Sequence, residues 1–258
     1  MQQSSRITPT SPAAAILNDQ PQRRALFLDV DGTLLDIAPT PDQVVVPPGL
    51  VELLERVCVG LDGAFAILTG RQLSEIDELL APAKFMGAGV HGAEMRTTPG
   101  GPITLSAATM PDDLAAELIA LAERMPGIIA EPKGPGFAVH YRQAPQLKAT
   151  VEKEIRALLA RFPDDLVLCP GRKLFEVIPT GLSKGTALVT LEALPMFAGR
   201  APIMIGDDVG DTPALAAAEQ LGGTGLRVSG GYFGDDGDLA GPAGVIEWLG
   251  ELAAHLER

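Results

Sequence analysis

Ala25-Leu26-Phe27-Leu28-Asp29-Val30-Asp31-Gly32-Thr33-Leu34 is the stretch on which the fold turns. Four apolar residues, Ala25 to Leu28, form a run too short for a helix and read as a strand buried on both faces. The run ends in Asp29, and Gly32 permits a turn. In extended chain, side chains at i and i+2 project to the same side. Asp29 and Asp31 therefore share one space at the end of the strand. Two close carboxylates repel each other, and a divalent cation that prefers hard oxygen ligands, Mg²⁺, is their natural partner. An Asp-rich turn would account for Asp31-Gly32 but not for a second aspartate at the strand end. With a cation in place, Asp29 can attack phosphorus. Asp31 can serve as acid to the leaving alcohol and as base to the hydrolytic water.

Moving outward, the same strand–loop–helix pattern recurs. Leu50, Leu53, Leu54 and Val57 follow helical spacing, and Ala64 to Leu68 is a second buried strand. A helix follows around Leu73 to Leu80, then a third strand between Lys84 and Val90. After Pro179 the pattern returns: a helix over Lys184–Leu194 capped by Ser183, a strand at Pro202–Ile205, and a helix with Thr212 as cap and Pro213 at its first position. A late strand at 226–228 and a helix striped by Val245, Leu249, Leu252 and Leu256 follow. Such alternation predicts an α/β fold with a Rossmann-like parallel sheet.

The middle of the chain differs. Residues 136–142 alternate strictly, with Phe137, Val139 and Tyr141 on one face and Ala138, His140 and Arg142 on the other. Two helices, marked by Leu114 to Met125 and by Leu147 to Phe162, and strands at 166–168 and 174–178 complete a one-sided antiparallel sheet. The expected organisation is a disordered tail over 1–22, a core formed by 23–106 and 181–258, and an inserted, smaller α+β cap over 107–180. Hinges are expected near 106–109 and 179–181. Both faces of the 136–142 strand have an ordinary explanation, and His140 and Arg142 would then be a solvated outer face.

Three further clusters sit at strand ends or helix starts, where open α/β sheets bind ligands. Thr69-Gly70-Arg71 offers a hydroxyl and backbone N–H groups suited to phosphate oxygens. Lys184 opens a helix, where the dipole disfavours a cation unless an anion is present. Asp207, Asp208 and Asp211 crowd three carboxylates behind a strand, and like charges so placed point to a metal. Asp207, supported by Asp208 or Asp211, is the expected ligand.

In this order, the four motifs resemble those of the haloacid dehalogenase (HAD) superfamily. The resemblance implies Asp29 as nucleophile, Asp31 as acid/base, and Thr69 and Lys184 as further catalytic residues. It implies Mg²⁺ held by Asp29, the Asp31 carbonyl and Asp207, with Asp211 in the metal motif. The insert falls between the second and third motifs, as in members with a C2-type cap. Five further stretches are similar to the trehalose-6-phosphate phosphatase family: Thr69-Gly70-Arg71, Gly89 to Glu94, Glu131-Pro132-Lys133, His140-Tyr141-Arg142 and Gly171 to Val177. That similarity implies hydrolysis of a sugar phosphate, with Gly70, Arg71, Lys133, His140, Arg142 and Glu176 against the substrate. It also implies a functional link to a trehalose-6-phosphate synthase, without a physical complex. The late motif departs from the family pattern, with Gly210 where Thr is usual and Thr212 where Glu is usual. Other readings keep the chemistry and change the sugar to a glucosylglycerol-, mannosylglycerate- or sucrose-type phosphate, or drop turnover for binding alone. A binding module is expected to have lost one of Asp29, Asp31, Lys184 or Asp207, and all four are present.

Composition narrows the partners. The 258 residues carry a formal charge of −13, which disfavours nucleic acid and anionic membranes and obliges the site to supply its own positive charge. Aromatic residues make up 4%, too few for a base-stacking platform. Cys58 and Cys169 lack metal-ligand spacing and read as reduced thiols. No run approaches the roughly 20 apolar residues of a membrane helix, so a cytoplasmic location is expected.

Overall fold

A computed structural model describes residues 12–18, 20, 23–38, 43–107, 109–162 and 165–258. Seven strands form the larger sheet, in the order β11-β10-β1-β2-β3-β4-β5. Its centre is β1 (Arg24–Leu28), flanked by β10 (Ala201–Gly206) and β2 (Phe65–Leu68), with β11 (Thr224–Arg227) and β3 (Gly87–Gly89) outside them. These five are parallel, and all but β11 are almost wholly buried, as their apolar runs predict. β4 (Glu94–Arg96) and β5 (Thr104–Leu105) extend the sheet antiparallel at one edge. Helices α2 (Leu50–Gly60), α3 (Leu73–Leu79), α6 (Lys184–Glu192) and α7 (Thr212–Gln220) lead from strand to strand, and α8 (Gly241–Leu256) follows β11. Ser183 caps α6 as expected, accepting from the Thr186 N–H at 3.1 Å. α7 begins at Thr212 itself, so the cap position falls to Asp211, one residue earlier than predicted.

The chain leaves this sheet after β5 and returns after the second sheet, of order β6-β7-β9-β8. Its strands are β6 (Ile129–Lys133), β7 (Gly136–His140), β8 (Leu166–Gly171) and β9 (Leu174–Pro179), all antiparallel. Phe137, Val139, Phe175 and Val177 bury one face in a separate apolar cluster with Leu114, Leu118 and Leu121 of α4 (Asp112–Glu123) and Val151 and Ile155 of α5 (Lys148–Leu159). The other face carries Glu131, Lys133, Ala138, His140 and Glu176: Ala138 lies opposite both Glu131 and Glu176, and Gly136 opposite Lys133. It is not a solvated outer face. Lys133, His140 and Glu176 are buried, because this face is turned toward the larger sheet.

The disordered-tail expectation is corrected at Pro12–Asn18, which forms helix α1. Ala13, Ile16 and Leu17, at i, i+3 and i+4, are buried in the main core, and Trp248 Nε1 donates to the Ala13 carbonyl at 2.9 Å. The remainder of that segment, apart from Gln20, lies outside the described residues. No helix among the described residues is long and apolar enough to cross a membrane.

Candidate active site

Because β1, β2 and β10 are parallel and in register, their carboxyl ends deliver Asp29, Thr69 and Asp207 to one edge. Asp29 follows β1 directly and is buried; its Oδ2 accepts from Thr33 Oγ1 at 3.1 Å. Lys184, in the first turn of α6, donates to Asp29 Oδ1 at 2.5 Å and to Asp211 Oδ1 at 2.6 Å. The predicted dipole conflict is therefore resolved by two carboxylates inside the protein. Burial alone would lower the Lys184 pKa, but the charges of Asp211 and Asp29 outweigh it and raise it. Lys184 is thus a fixed cation.

Asp29, Asp207 and Asp211 form a buried triad, with one oxygen from each within 4.8 Å of the others. Burial, then the charge of Asp211, pushes the Asp29 carboxyl well up despite Lys184. Burial, with Asp211 and Asp208, pushes Asp207 up to about 7. The members are not equivalent. Asp211 Oδ2 accepts the Asp207 and Asp208 N–H groups at 3.0 and 2.9 Å, and its Oδ1 holds Lys184. Asp207 Oδ1 is buried with no hydrogen-bond partner. A buried, unpartnered carboxylate oxygen is costly, and a cation is the partner that oxygen donors of this kind fit. Asp207 thus keeps one oxygen unengaged, whereas Asp211 holds the loop and the lysine. Two glycines permit this crowding. A methyl at Gly32, where φ is +90°, would lie 2.3 Å from Asp207 Oδ2, and one at Gly206 would lie 2.5 Å from Asp211 Cβ.

Arg71 clamps Asp31 with two bonds, Nε to Oδ2 at 2.6 Å and Nη2 to Oδ1 at 2.8 Å. Thr69 Oγ1 accepts the Arg71 N–H at 3.1 Å, so the hydroxyl shapes the turn that aims Arg71. Above this edge, a cleft of about 790 Å³, open solvent included, separates the two sheets. Asp29, Asp31, Gly70, Arg71 and Lys184 line its floor, and Lys133, His140, Arg142 and Glu176 line the opposite side.

The residues across the cleft are held in pairs. Glu176 Oε2 lies 2.5 Å from His91 Nε2, and its Oε1 lies 3.9 Å from Lys133 Nζ. Burial would raise the Glu176 carboxyl, but His91, then Lys133 and Lys184, hold it down at about 2. Lys133 Nζ donates to the Gly70 carbonyl at 3.1 Å. His140 Nε2 meets Glu131 Oε2 at 2.7 Å. Arg142 donates to the Ala38 carbonyl and, at 3.3 Å, to the Arg172 carbonyl.

Comparison with known proteins decides the family. The trehalose-phosphatase profile matches residues 27–230. A probable trehalose-phosphate phosphatase of Sinorhizobium fredii is 42% identical over 205 residues, covering 79% of this chain and 77% of the relative.

The chain belongs to the trehalose-phosphatase family.

Trehalose-6-phosphate phosphatase of Escherichia coli is 36% identical over 238 residues, 91% of this chain and 88% of that one. The C-terminal domain of Candida albicans trehalose-6-phosphate phosphatase shares the fold, with TM-score 0.76 at 20% identity over 94% of this chain and 97% of that one. The structure thus bears out the HAD-like α/β fold; of the sequence-predicted site residues, Asp29, Asp31, Gly70, Arg71, Lys133, His140, Arg142, Glu176 and Lys184 line the cleft, while Thr69, Asp207 and Asp211 lie buried beside its floor.

Sequence reasoning underrated three residues. His91 stood only inside the Gly89 to Glu94 stretch, yet its ring reaches Glu176 from a left-handed conformation, φ 55°. The glycine after it was the only local hint. Glu131 was noticed only inside a motif, although its i, i+2 spacing from Lys133 places both on one strand face. Arg172 stood only inside the Gly171 to Val177 stretch, whereas it bonds Asp207 and Asp208.

Proposed function

We propose that this chain hydrolyses trehalose 6-phosphate to trehalose and phosphate through a phosphoaspartate on Asp29. The observation that carries the reading is the joint presence of a cation-bridged nucleophile, Lys184 on Asp29, and a polar wall of paired side chains across the cleft. Asp29, the Asp31 carbonyl and Asp207 would hold Mg²⁺, which when bound supplies positive charge against the phosphoryl oxygens. Lys184 adds a second, fixed charge on Asp29, and Asp211 keeps it there. One Asp29 carboxylate oxygen attacks phosphorus as the bond to the sugar oxygen breaks. Asp31 gives that oxygen its proton, then accepts one from the water that attacks the phosphoaspartate. Both Asp31 oxygens are held by Arg71, so this role requires Arg71 to transfer its bonds to the incoming phosphate. Thr69 aims Arg71 through the turn.

Lys133, Glu131, His140 and Glu176 offer donors and acceptors to the sugar hydroxyls, and Arg142 braces the rim against the 38 carbonyl. An approach of the two sheets excludes bulk water from the phosphoaspartate. The division into a core of 23–106 and 181–258 and a cap of 107–180 fits the two apolar clusters. The substrate would come from a trehalose-6-phosphate synthase, with no complex required. The test is phosphate release from trehalose 6-phosphate beside a panel of sugar phosphates, with Mg²⁺ or EDTA and with Asp29→Asn. Mg²⁺-dependent release that favours trehalose 6-phosphate and vanishes in Asp29→Asn is expected. Release from another sugar phosphate alone would overturn the substrate, and no release from any ester would overturn the reaction.

A further inference from the structure

Arg172 lies in the turn between β8 and β9, on the smaller sheet, yet its polar groups address the acidic loop of the larger one. Its main-chain N–H donates to Asp208 Oδ2 at 2.8 Å. Nη1 donates to Asp207 Oδ2 at 3.2 Å, and Nη2 donates to the Gly230 carbonyl at 2.9 Å. The turn is shaped for this: Lys173 takes a left-handed φ of 63°, and Arg142 holds the Arg172 carbonyl at 3.3 Å. Asp208 spends its other oxygen on the Val209 N–H at 2.8 Å, so its role is to dock Arg172 and cap the loop.

The consequence falls on Asp207. Its Oδ2 is crowded by backbone: a methyl on Gly32 or Gly231 would lie 2.3 or 2.5 Å from it. Rotation of the carboxylate about its last bond is the freedom that remains. The guanidinium bond to Oδ2 fixes that rotation and leaves Oδ1, buried and without a hydrogen-bond partner, as the ligating oxygen. We propose that Arg172 is a positioning residue that fixes the plane of the cation-binding carboxylate Asp207 from the opposite sheet. The cation site is then complete only while the β8–β9 turn is docked. The role rests on the reading of the aspartate cluster as a cation site.

The sign of one measurement separates positioning from plain electrostatics. Removing a positive charge beside a cation site tightens cation binding on Coulombic grounds. Losing a partner that orients a ligand weakens it, typically about 10–100-fold. The experiment is calorimetric titration of the full, substrate-free chain with Mn²⁺, for wild type, Arg172→Met and Arg172→Lys. Arg172→Met is expected to bind Mn²⁺ about tenfold more weakly. Arg172→Lys keeps the charge but cannot fork between Asp207 and Gly230, and is expected to weaken binding too. It carries the test if circular dichroism shows that the methionine variant does not fold. Equal or tighter binding in the folded variants would overturn the role and leave the phosphatase reading standing. No Mn²⁺ binding by the wild-type chain would overturn the cation reading and this role together.

Discussion

Glu176 stands between the sheets, on β9 with its carboxylate against His91 of the larger unit. Replacing it by Gln keeps the shape and removes the charge. In the folded chain its carboxyl titrates at about 2 rather than 4.5, because His91, Lys133 and Lys184 outweigh the effect of burial. At about 1.4 kcal/mol per pH unit, that difference adds roughly 3 kcal/mol to stability at pH 7. The folded value is depressed, so the contribution is present above about pH 4.5 and is lost as the pH falls toward 2. Between pH 5 and pH 3 about 2 kcal/mol of it disappears. Glu176→Gln has no such group to titrate. The stability gap between wild type and Glu176→Gln is therefore expected to narrow from about 3 kcal/mol at pH 5 to about 1 kcal/mol at pH 3. Urea unfolding at constant ionic strength, at pH 5, 4 and 3, measures it. A gap that stays constant across this range would refute the charge argument and reduce the pair to ordinary packing.

Three other outcomes follow from the geometry. Gly32→Ala puts a methyl 2.3 Å from Asp207 Oδ2 at a φ of +90°, and the displaced carboxylate is expected to cost turnover on the order of 10²-fold, read by steady-state phosphate release. Lys184→Met leaves Asp29 and Asp211 without their shared cation; we expect a stability loss of about 3–5 kcal/mol in metal-free urea unfolding, with turnover down roughly 10²- to 10³-fold. Trp248→Ala empties a fully buried site and removes the bond to Ala13, for about 3–5 kcal/mol by the same unfolding assay, while kcat per folded molecule is unchanged because Trp248 does not line the cleft.

What the sequence made legible was what short-range pattern controls. β1, β2 and β10 are central parallel strands covered on both faces, so their apolar runs stand out, and so do the aspartates that end two of them. β4 and β5 were invisible because Glu94–Arg96 and Thr104–Leu105 are too short for a periodicity, and pairing with β3 makes them strands. Helix α1 was missed because seven residues are too few to hold a helix alone, even with three alanines; Trp248 and the core hold it. In the site, Asp29 and Asp31 were readable from i, i+2 spacing. The pairs His91–Glu176, 85 residues apart, and Arg172–Asp207, 35 apart, were not, since docking of the two sheets creates them.

Charge explains why the site is built from pairs. A chain of formal charge −13 repels a phosphate ester, and the cleft answers with Lys184, Arg71, Lys133, Arg142 and Arg172. None of them stands alone: each is bonded to a carboxylate or a carbonyl, Lys184 to Asp29, Arg71 to Asp31, Arg172 to Asp207, Lys133 to Gly70 and Arg142 to Ala38. Bare cations so close together would destabilise the fold, and bare carboxylates would repel the substrate. Paired, they keep the cleft near neutrality, so that binding of an anion would be an exchange of partners. On the proposed reaction, an incoming phosphate would take Arg71 from Asp31 and free that carboxyl for proton transfer to the sugar oxygen. On that proposal the arginine clamp would hold the acid/base back until substrate is present, and the ion pair would gate the reaction.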